Sequence, residues 1–258
     1  MHVSIFQKML ASVGIGSAKV DTILSKAVYR AGEMLEGTIK IYGGTSDQQV
    51  DAIYLSVYTT YLRESDDRKV TDYAAIHKEK VSERFLITAG GQKDIPFRFT
   101  LPFDTPATKG STRVWIQTGV DIASAKDPTD KDFIQVEPTQ IAQHVLQEVE
   151  RLGFRLRKSE CEQASRKYRG IYPFMQEFEY VPMTGEFYGK LDELEIVFLS
   201  QTAEKAELLL QIDRKARGFG GFLAEALDQD ETYVPLTLTK QHLSSIHDQL
   251  YRILKKYS

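Results

Sequence analysis

Cysteine and long apolar runs are scarce in this chain. Its one cysteine, Cys161, can form neither an internal disulfide nor a cysteine-ligated zinc site, which favours a reducing compartment. No window approaches the roughly 18 apolar residues that a membrane-spanning helix needs. Near the start, Gln7 and Lys8 interrupt the apolar residues, and no signal-peptide cleavage site follows them. We therefore expect a cytoplasmic protein.

Metal-binding patterns are also missing. His242 and His247 are close in sequence, but a spacing of five residues is not the i, i+4 spacing of a zinc-binding helix. Asp127, Asp130 and Asp132 lack the glycine and the distal glutamate of a calcium-binding loop. We expect no bound metal, and a solvated acidic turn at the three aspartates.

No catalytic motif stands out. The glycine-rich stretch 217–221 lacks the Lys-Ser/Thr end of a phosphate-binding loop, so a hinge or a helix-docking turn is the better interpretation. Neither a nucleophile elbow nor a kinase signature occurs. A net charge of -3 gives no bulk attraction for nucleic acid. The sequence therefore predicts a protein without enzymatic activity, cofactor or nucleic-acid partner.

A period of two is clear in residues 29–44. Leu35, Ile39 and Ile41 fall on one side of an extended chain and polar residues on the other, as in a half-buried strand. Gly32 precedes this strand and supplies a bend, because glycine tolerates a positive φ.

The same alternation recurs up to Val136 without intervening helices. Pro96 interrupts one of these strands and can donate no ladder hydrogen bond, which favours an edge position or a bulge. This spacing of strands predicts an antiparallel β-sandwich. The strands run over Ile53–Tyr61, Phe85–Ile87, Ile95–Leu101, Val114–Ile122 and Ile134–Val136.

The chain divides near an amphipathic helix between Pro138 and Gly153. Strand patterns then resume, and a second amphipathic helix ends the chain. At 258 residues, two domains are the better expectation. We predict a mainly β protein, with a sandwich over residues 1–137 and, over 138–258, a linker helix, a smaller second sandwich and a C-terminal helix.

Residues 2–13 have the pattern of an amphipathic helix, with Phe6, Met9 and Leu10 on its apolar face. Docking of this face on the protein's own sheet is the simpler interpretation. Contact with a membrane surface or a partner is the alternative, although one lysine gives it little electrostatic help.

Two motifs carry a family resemblance. They are Tyr-Arg-Ala-Gly-Glu at 29–33, and Ile-Pro-Phe-Arg-Phe-Thr-Leu-Pro at 95–102 followed by Asp-Thr-Pro at 104–106. Both resemble the N-terminal half of the arrestin superfamily. With residues 9–16 and 114–119 included, the chain resembles the bacterial stage 0 sporulation protein M family. The likeness is detailed over roughly residues 1–136, and rests on length and arrangement beyond them.

The resemblance implies two arrestin-like antiparallel β-sandwich domains and a non-catalytic regulator of sporulation that binds proteins. It implies partners in the sporulation or division machinery. No phosphate-sensing residue is carried over, because no tail segment like the arrestin clamp is visible.

Two binding routes follow from the residues. Tyr54, Tyr58 and Trp115 are large amphipathic residues at outward positions, of the types that anchor interfaces. Packing under the N-terminal helix or against the other sheet is their alternative role. An exposed strand edge could instead pair with a partner's strand or with a second copy. The alternative function is a peripheral membrane or division-apparatus scaffold anchored by the N-terminal helix.

Overall fold

The structure is a computed structural model that describes residues 16–65, 68–123, 127–164, 170–214 and 231–258. Strands dominate this part of the chain, as predicted. The predicted N-terminal helix at 2–13, with Phe6, Met9 and Leu10, lies outside the described residues, as does the glycine-rich stretch 217–221. No helix in the described part is long and apolar enough to cross a membrane.

Strands and helices follow one another along the described chain in this order. They are β1 Lys19–Leu24, β2 Val28–Arg30, β3 Met34–Tyr42, β4 Gln48–Ser65, β5 Arg68–Ser82, β6 Phe85–Ile87, β7 Gln92–Thr100, β8 Val114–Ile122, β9 Thr129–Glu137, α1 Gln140–Arg151, β10 Phe154–Gln163, β11 Phe174–Pro182, β12 Leu191–Gln201, β13 Lys205–Arg214, β14 Glu231–Thr239, a 3-10 helix Lys240–Ser245, and α2 Ile246–Tyr257.

The first half consists of two sheets that share one core. One sheet has the antiparallel order β1-β3-β7. In the other, β4 pairs with β8 on one side and with β5 and β6 on the other, while β9 lies between β8 and β2. Leu35 and Ile39 of the first sheet join Leu55, Val57 and Ile116 of the second in the same fully buried cluster. Each strand turns one apolar side inward, and the layered arrangement follows.

Pro96 lies in β7, opposite Thr38 of β3. Within the described residues β7 has a partner strand on one side only. An edge strand tolerates proline because the missing N–H group costs no ladder hydrogen bond there. The predicted edge position is confirmed.

The second half differs from the predicted second sandwich. Its strands β10 to β14 form one antiparallel succession in chain order. Helices α1 and α2 pack on the apolar face of this sheet, with Val145 and Leu250 in the same core as Ile196 and Leu210. In the described part of the chain, helices therefore take the place expected for a second sheet. Alternation in a strand specifies an apolar face but not the element that covers it.

Side chains and one backbone bridge join the two halves. The amide of Gln176 accepts a hydrogen bond from the backbone N–H of Ala107 at 2.8 Å and donates one to its carbonyl at 2.7 Å. The ring of Phe174 stacks on Tyr61, with 6.0 Å between the centroids. Beside them, β10 forms a parallel bridge to the end of β4. The halves are thus held by both polar and apolar contacts.

Cys161 lies in this junction and is buried. Its thiol is 3.7 Å from the hydroxyl of Thr112. Burial raises the pKa of the Cys161 thiol to about 12. The thiol is a small packing group rather than a nucleophile.

Candidate protein-binding surface

Four aromatic side chains lie side by side on the outer face of the first half. Tyr73 of β5, Tyr58 of β4, Trp115 of β8 and Phe133 of β9 form this set, which we name the aromatic row. The ladder places Tyr58 opposite Trp115, and Trp115 opposite Phe133. The row therefore crosses four adjacent strands at right angles to the chain direction.

Ring contacts make the row continuous. Tyr58 stacks on Trp115 with 5.6 Å between centroids, and Tyr73 meets Tyr58 edge to face at 5.9 Å. Phe133 is 5.9 Å from Trp115 on the other side. These separations lie in the favourable range for aromatic pairs. Aromatic side chains have few rotatable bonds, so they lose little conformational freedom on binding.

Burial differs sharply along the row. Trp115 is only 5% exposed, whereas Tyr73 is 65% exposed and Phe133 is 58% exposed. A nearly covered ring flanked by two exposed rings is an extended apolar surface rather than a pocket. Contiguous apolar surface of this kind marks interaction sites in soluble proteins.

Cations lie against the rings. The ammonium group of Lys131 is 3.8 Å from the centroid of Trp115 and 4.7 Å from that of Phe133. The ammonium group of Lys78 is 4.7 Å from the centroid of Tyr54. These are cation–π distances, and the contacts fix both lysines on the same face as the aromatic row.

The three tyrosine and tryptophan residues singled out in the sequence share this face. Tyr58 and Trp115 belong to the aromatic row. Tyr54 lies on the same face of β4, and the ammonium group of Lys78 lies over its ring. None of the three packs into the core between the two sheets. The structure places them together, and their role in binding stays a prediction.

Sequence reasoning missed Tyr73 and Phe133. Tyr73 lies in a polar stretch, and Phe133 directly precedes the core residue Ile134. The signal was available in the alternation, because a residue next to an inward side chain points outward. An exposed aromatic at such a position is informative.

A cavity of about 230 Å³ lies between the two halves. Its lining includes Asp104, Thr139 and Gln201. Burial raises the pKa of Asp104, although the backbone N–H of Gln201 donates to this carboxyl at 2.7 Å and opposes the shift. Among the described residues that line it there is no histidine, cysteine or lysine. The polar side chains that line the described part of the cavity are hydroxyls, amides and the Asp104 carboxyl.

Three carboxylates lie close together on the outer face of the second half. Glu179, Glu193 and Glu195 have oxygen atoms within 4.8 Å of one another. Arg157 forms ion pairs with both Glu179 and Glu193. Burial, reinforced by Glu177 and Glu193, raises the pKa of Glu195 to about 7. The guanidinium group therefore pairs with two of the three carboxylates.

The predicted solvated acidic turn is wrong for two of the three aspartates considered for calcium, because Asp130 and Asp132 lie in strand β9 and Asp132 is only 9% exposed. Asp127 accepts the backbone N–H of Ile122 at 3.0 Å. Asp130 accepts the backbone N–H of Thr22 at 2.7 Å and so ties β1 to β9. Both carboxylates satisfy backbone donors, a common use of aspartate near strand ends.

Comparisons with known proteins agree with one another. The family described as "SpoOM protein" matches residues 6–216. The chain is 40% identical over 258 residues to the sporulation-control protein spo0M of Bacillus subtilis strain 168, and the match covers 99% of each chain. The crystal structure of Spo0M from Bacillus subtilis superimposes with a TM-score of 0.84 at 39% identity, over 95% of this chain and 100% of that chain. By sequence and by fold, the chain belongs to the SpoOM protein family.

Proposed function

We propose that the chain is a regulator of sporulation that acts without catalysis, as an arrestin-like adaptor that binds a protein partner in the cytoplasm. The regulatory role is supported by its relation to the sporulation-control protein of Bacillus subtilis, which extends over nearly the full length of both chains. The partner is proposed to belong to the sporulation or division machinery.

The aromatic row is the observation that carries the binding role. Its rings lie on the face of the β4–β8–β9 sheet that points away from the core, and among the described residues they do not belong to the buried cluster between the two sheets. Tyrosine and tryptophan dominate binding hot spots because they bury large areas with few rotatable bonds. A nearly covered tryptophan between exposed aromatic rings has the arrangement of such a centre.

The arrestin-like character is proposed for the first half. Its two sheets, the Gly32 turn that opens β3 and the proline-bearing edge strand β7 support this assignment. A division into two units near residues 137 and 138 is also proposed. It is supported by two buried clusters that are each drawn mainly from one half, although Cys161 and Phe174 belong to the first cluster and Ala107 to the second.

The test compares two double variants in the native host. Tyr73→Ser with Phe133→Ser removes the exposed ends of the aromatic row, and we expect loss of partner crosslinking and fewer heat-resistant spores. The matched control is Leu86→Ser with Tyr188→Ser, since these residues are 57% and 66% exposed elsewhere on the surface. Crosslinking with mass spectrometry during sporulation identifies the partner, and circular dichroism checks the fold.

A clear result would reject the proposal. If the Tyr73 and Phe133 variant is folded, crosslinks the same proteins and supports sporulation as well as the control variant, the aromatic row is not the binding surface.

A further inference from the structure

The face that carries the aromatic row is locally basic, although the chain as a whole is acidic. Lys78, Arg113 and Lys131 are exposed there. None of the three forms an ion pair with a carboxylate in the described part of the chain, and Arg113 donates instead to the carbonyls of Gly110 and Thr112. The outward positions beside the row are therefore rich in uncompensated positive charge.

Neutral residues separate these cations. By the strand register, Lys78 lies opposite Ser56, Ser56 opposite Gln117, and Gln117 opposite Lys131. This polar line runs beside the aromatic row, and the indole N–H of Trp115 donates to Gln117 at 3.4 Å. A ligand lying across the strands would meet a cation at each end and neutral groups between them.

The spacing of the two lysines defines a ligand length. Lys78 and Lys131 are three strand spacings apart, which is about 14 Å at the usual separation of neighbouring strands. An extended peptide advances about 3.3 Å per residue, so four residues cover about 13 Å. In such a peptide, residues i, i+2 and i+4 point to the same side.

We propose that this face binds an extended acidic segment of the partner protein. Carboxylates at positions i and i+4 reach Lys78 and Lys131, and an apolar side chain at i+2 lies over Ser56 and Gln117, beside Tyr58 of the aromatic row. The inference rests on the proposed function and adds the chemical nature of the partner. Charge complementarity supports it, because cations that lack a carboxylate partner face solvent beside an apolar surface.

Trp115 makes the test direct, because it is the one tryptophan of the chain. The probe is a capped synthetic peptide, Glu-Ser-Leu-Ser-Glu, which contains no fluorescent residue. We expect a saturable change in Trp115 emission that weakens as salt rises from about 0.05 to 0.5 M. The peptide Gln-Ser-Leu-Ser-Gln should give no such change.

Lysine variants locate the peptide. Lys78→Gln and Lys131→Gln should each weaken binding about fivefold, the size expected for an exposed ion pair. Lys93→Gln is the matched control, because Lys93 also lies over a ring, that of Phe85 at 3.9 Å, but in the other sheet. Polarisation of a dye-labelled peptide gives a second reading that does not depend on Trp115.

Three outcomes would overturn the inference: no saturable binding of the acidic peptide, equal binding of the glutamine peptide, or no effect of both lysine variants. The proposed function would survive each of these if Tyr73→Ser with Phe133→Ser still abolishes partner crosslinking. Conversely, peptide binding that follows the expected charge pattern, without loss of crosslinking in that variant, would reject the proposed function alone.

Discussion

Gly32 occupies the turn between β2 and β3 with a φ of +85°, in the left-handed region that favours glycine. Its N–H donates to the carbonyl of Leu101 at 2.9 Å. A Cβ atom built at this position would lie 2.2 Å from the ring of Phe103. Two independent constraints, backbone conformation and space, therefore act at one residue.

Substitutions at Gly32 and at a second glycine separate the effect of backbone conformation from the effect of space. We expect Gly32→Val to lower the free energy of unfolding by about 3 kcal/mol or more, because strain of about 1–3 kcal/mol adds to a steric clash. Urea denaturation followed by Trp115 fluorescence measures the loss. Gly90→Val is the control, since Gly90 also has a positive φ, of +66°, but no atom lies within 4 Å of its added Cβ.

The difference between these two variants reports the clash with Phe103. Equal losses would mean that the ring moves aside at no cost. No loss at Gly32 would contradict the turn assignment itself. The sequence around Gly32 predicts a turn that needs glycine. It does not predict the clash between an added Cβ and the ring of Phe103, because Phe103 is distant in sequence.

Among the structural elements, β11 and β12 pair in a register that places like charges opposite each other. Glu179 lies opposite Glu195 in the ladder. Like charges in this relation are unfavourable, and burial adds to the cost of ionisation. Burial is the main cause of the raised pKa of Glu195, about 7, and the nearby carboxyl groups of Glu177 and Glu193 add to it.

A pH dependence of stability results. The folded state holds the Glu195 proton up to about pH 7, whereas the unfolded chain releases it near the ordinary value of 4.5. The native state thus binds more protons within this window, so its stability falls as pH rises through it. We expect Glu195→Gln to raise the melting temperature at pH 8 and to have little effect at pH 4.

Thermal melts of both proteins across this pH range check the sign. Glu204→Gln is a suitable control, because Glu204 is an exposed carboxylate in an ion pair with Lys240. A melting temperature of Glu195→Gln that stays parallel to the parent curve from pH 4 to pH 8 would contradict the assignment.

Elements were predictable from the sequence to different degrees. Helix α1 was recognised because its apolar stripe lies between Pro138 and Gly153. Strand β14 was missed, although Val234, Leu236 and Leu238 alternate, because Pro235 argues against a central strand. In the described residues β14 pairs with β13 only, so the proline is tolerated. The covering of the second sheet by helices was not predictable, since it depends on tertiary packing.

The molecule as a whole has two apolar clusters, each drawn mainly from one half, with Cys161 and Phe174 of the second half in the first cluster and Ala107 of the first half in the second. Leu55 belongs to the first and Leu210 to the second, and both are fully buried. The hydrogen bonds between Gln176 and Ala107 also link the halves. This arrangement favours two units that unfold at different denaturant concentrations.

Truncation in one core tests the division. Leu210→Ala should destabilise the second half by about 2–5 kcal/mol. We expect the circular dichroism transition to begin at lower urea while the Trp115 fluorescence midpoint stays unchanged. Leu55→Ala, the counterpart in the first half, should shift the Trp115 midpoint. If Leu210→Ala shifts both signals equally, the chain unfolds as one unit.

Only part of the aromatic row was predictable from the sequence. Tyr58 and Trp115 were visible because each alternates with core residues of its own strand. Their union with Tyr73 and Phe133 depends on the order β5-β4-β8-β9, which places residues distant in sequence side by side. Strand order is a property of the whole fold and is only weakly encoded in any single segment.

The buried thiol of Cys161 has a practical consequence for conjugation chemistry. With a pKa of about 12, about one thiol in ten thousand is ionised at pH 8, so maleimide reagents react with it very slowly. A single cysteine introduced at the exposed position Gln135, beside Phe133 on the outward side of β9, would therefore be the preferred target for a dye or spin label. Such a label could report distances from the proposed binding face without prior removal of the native cysteine.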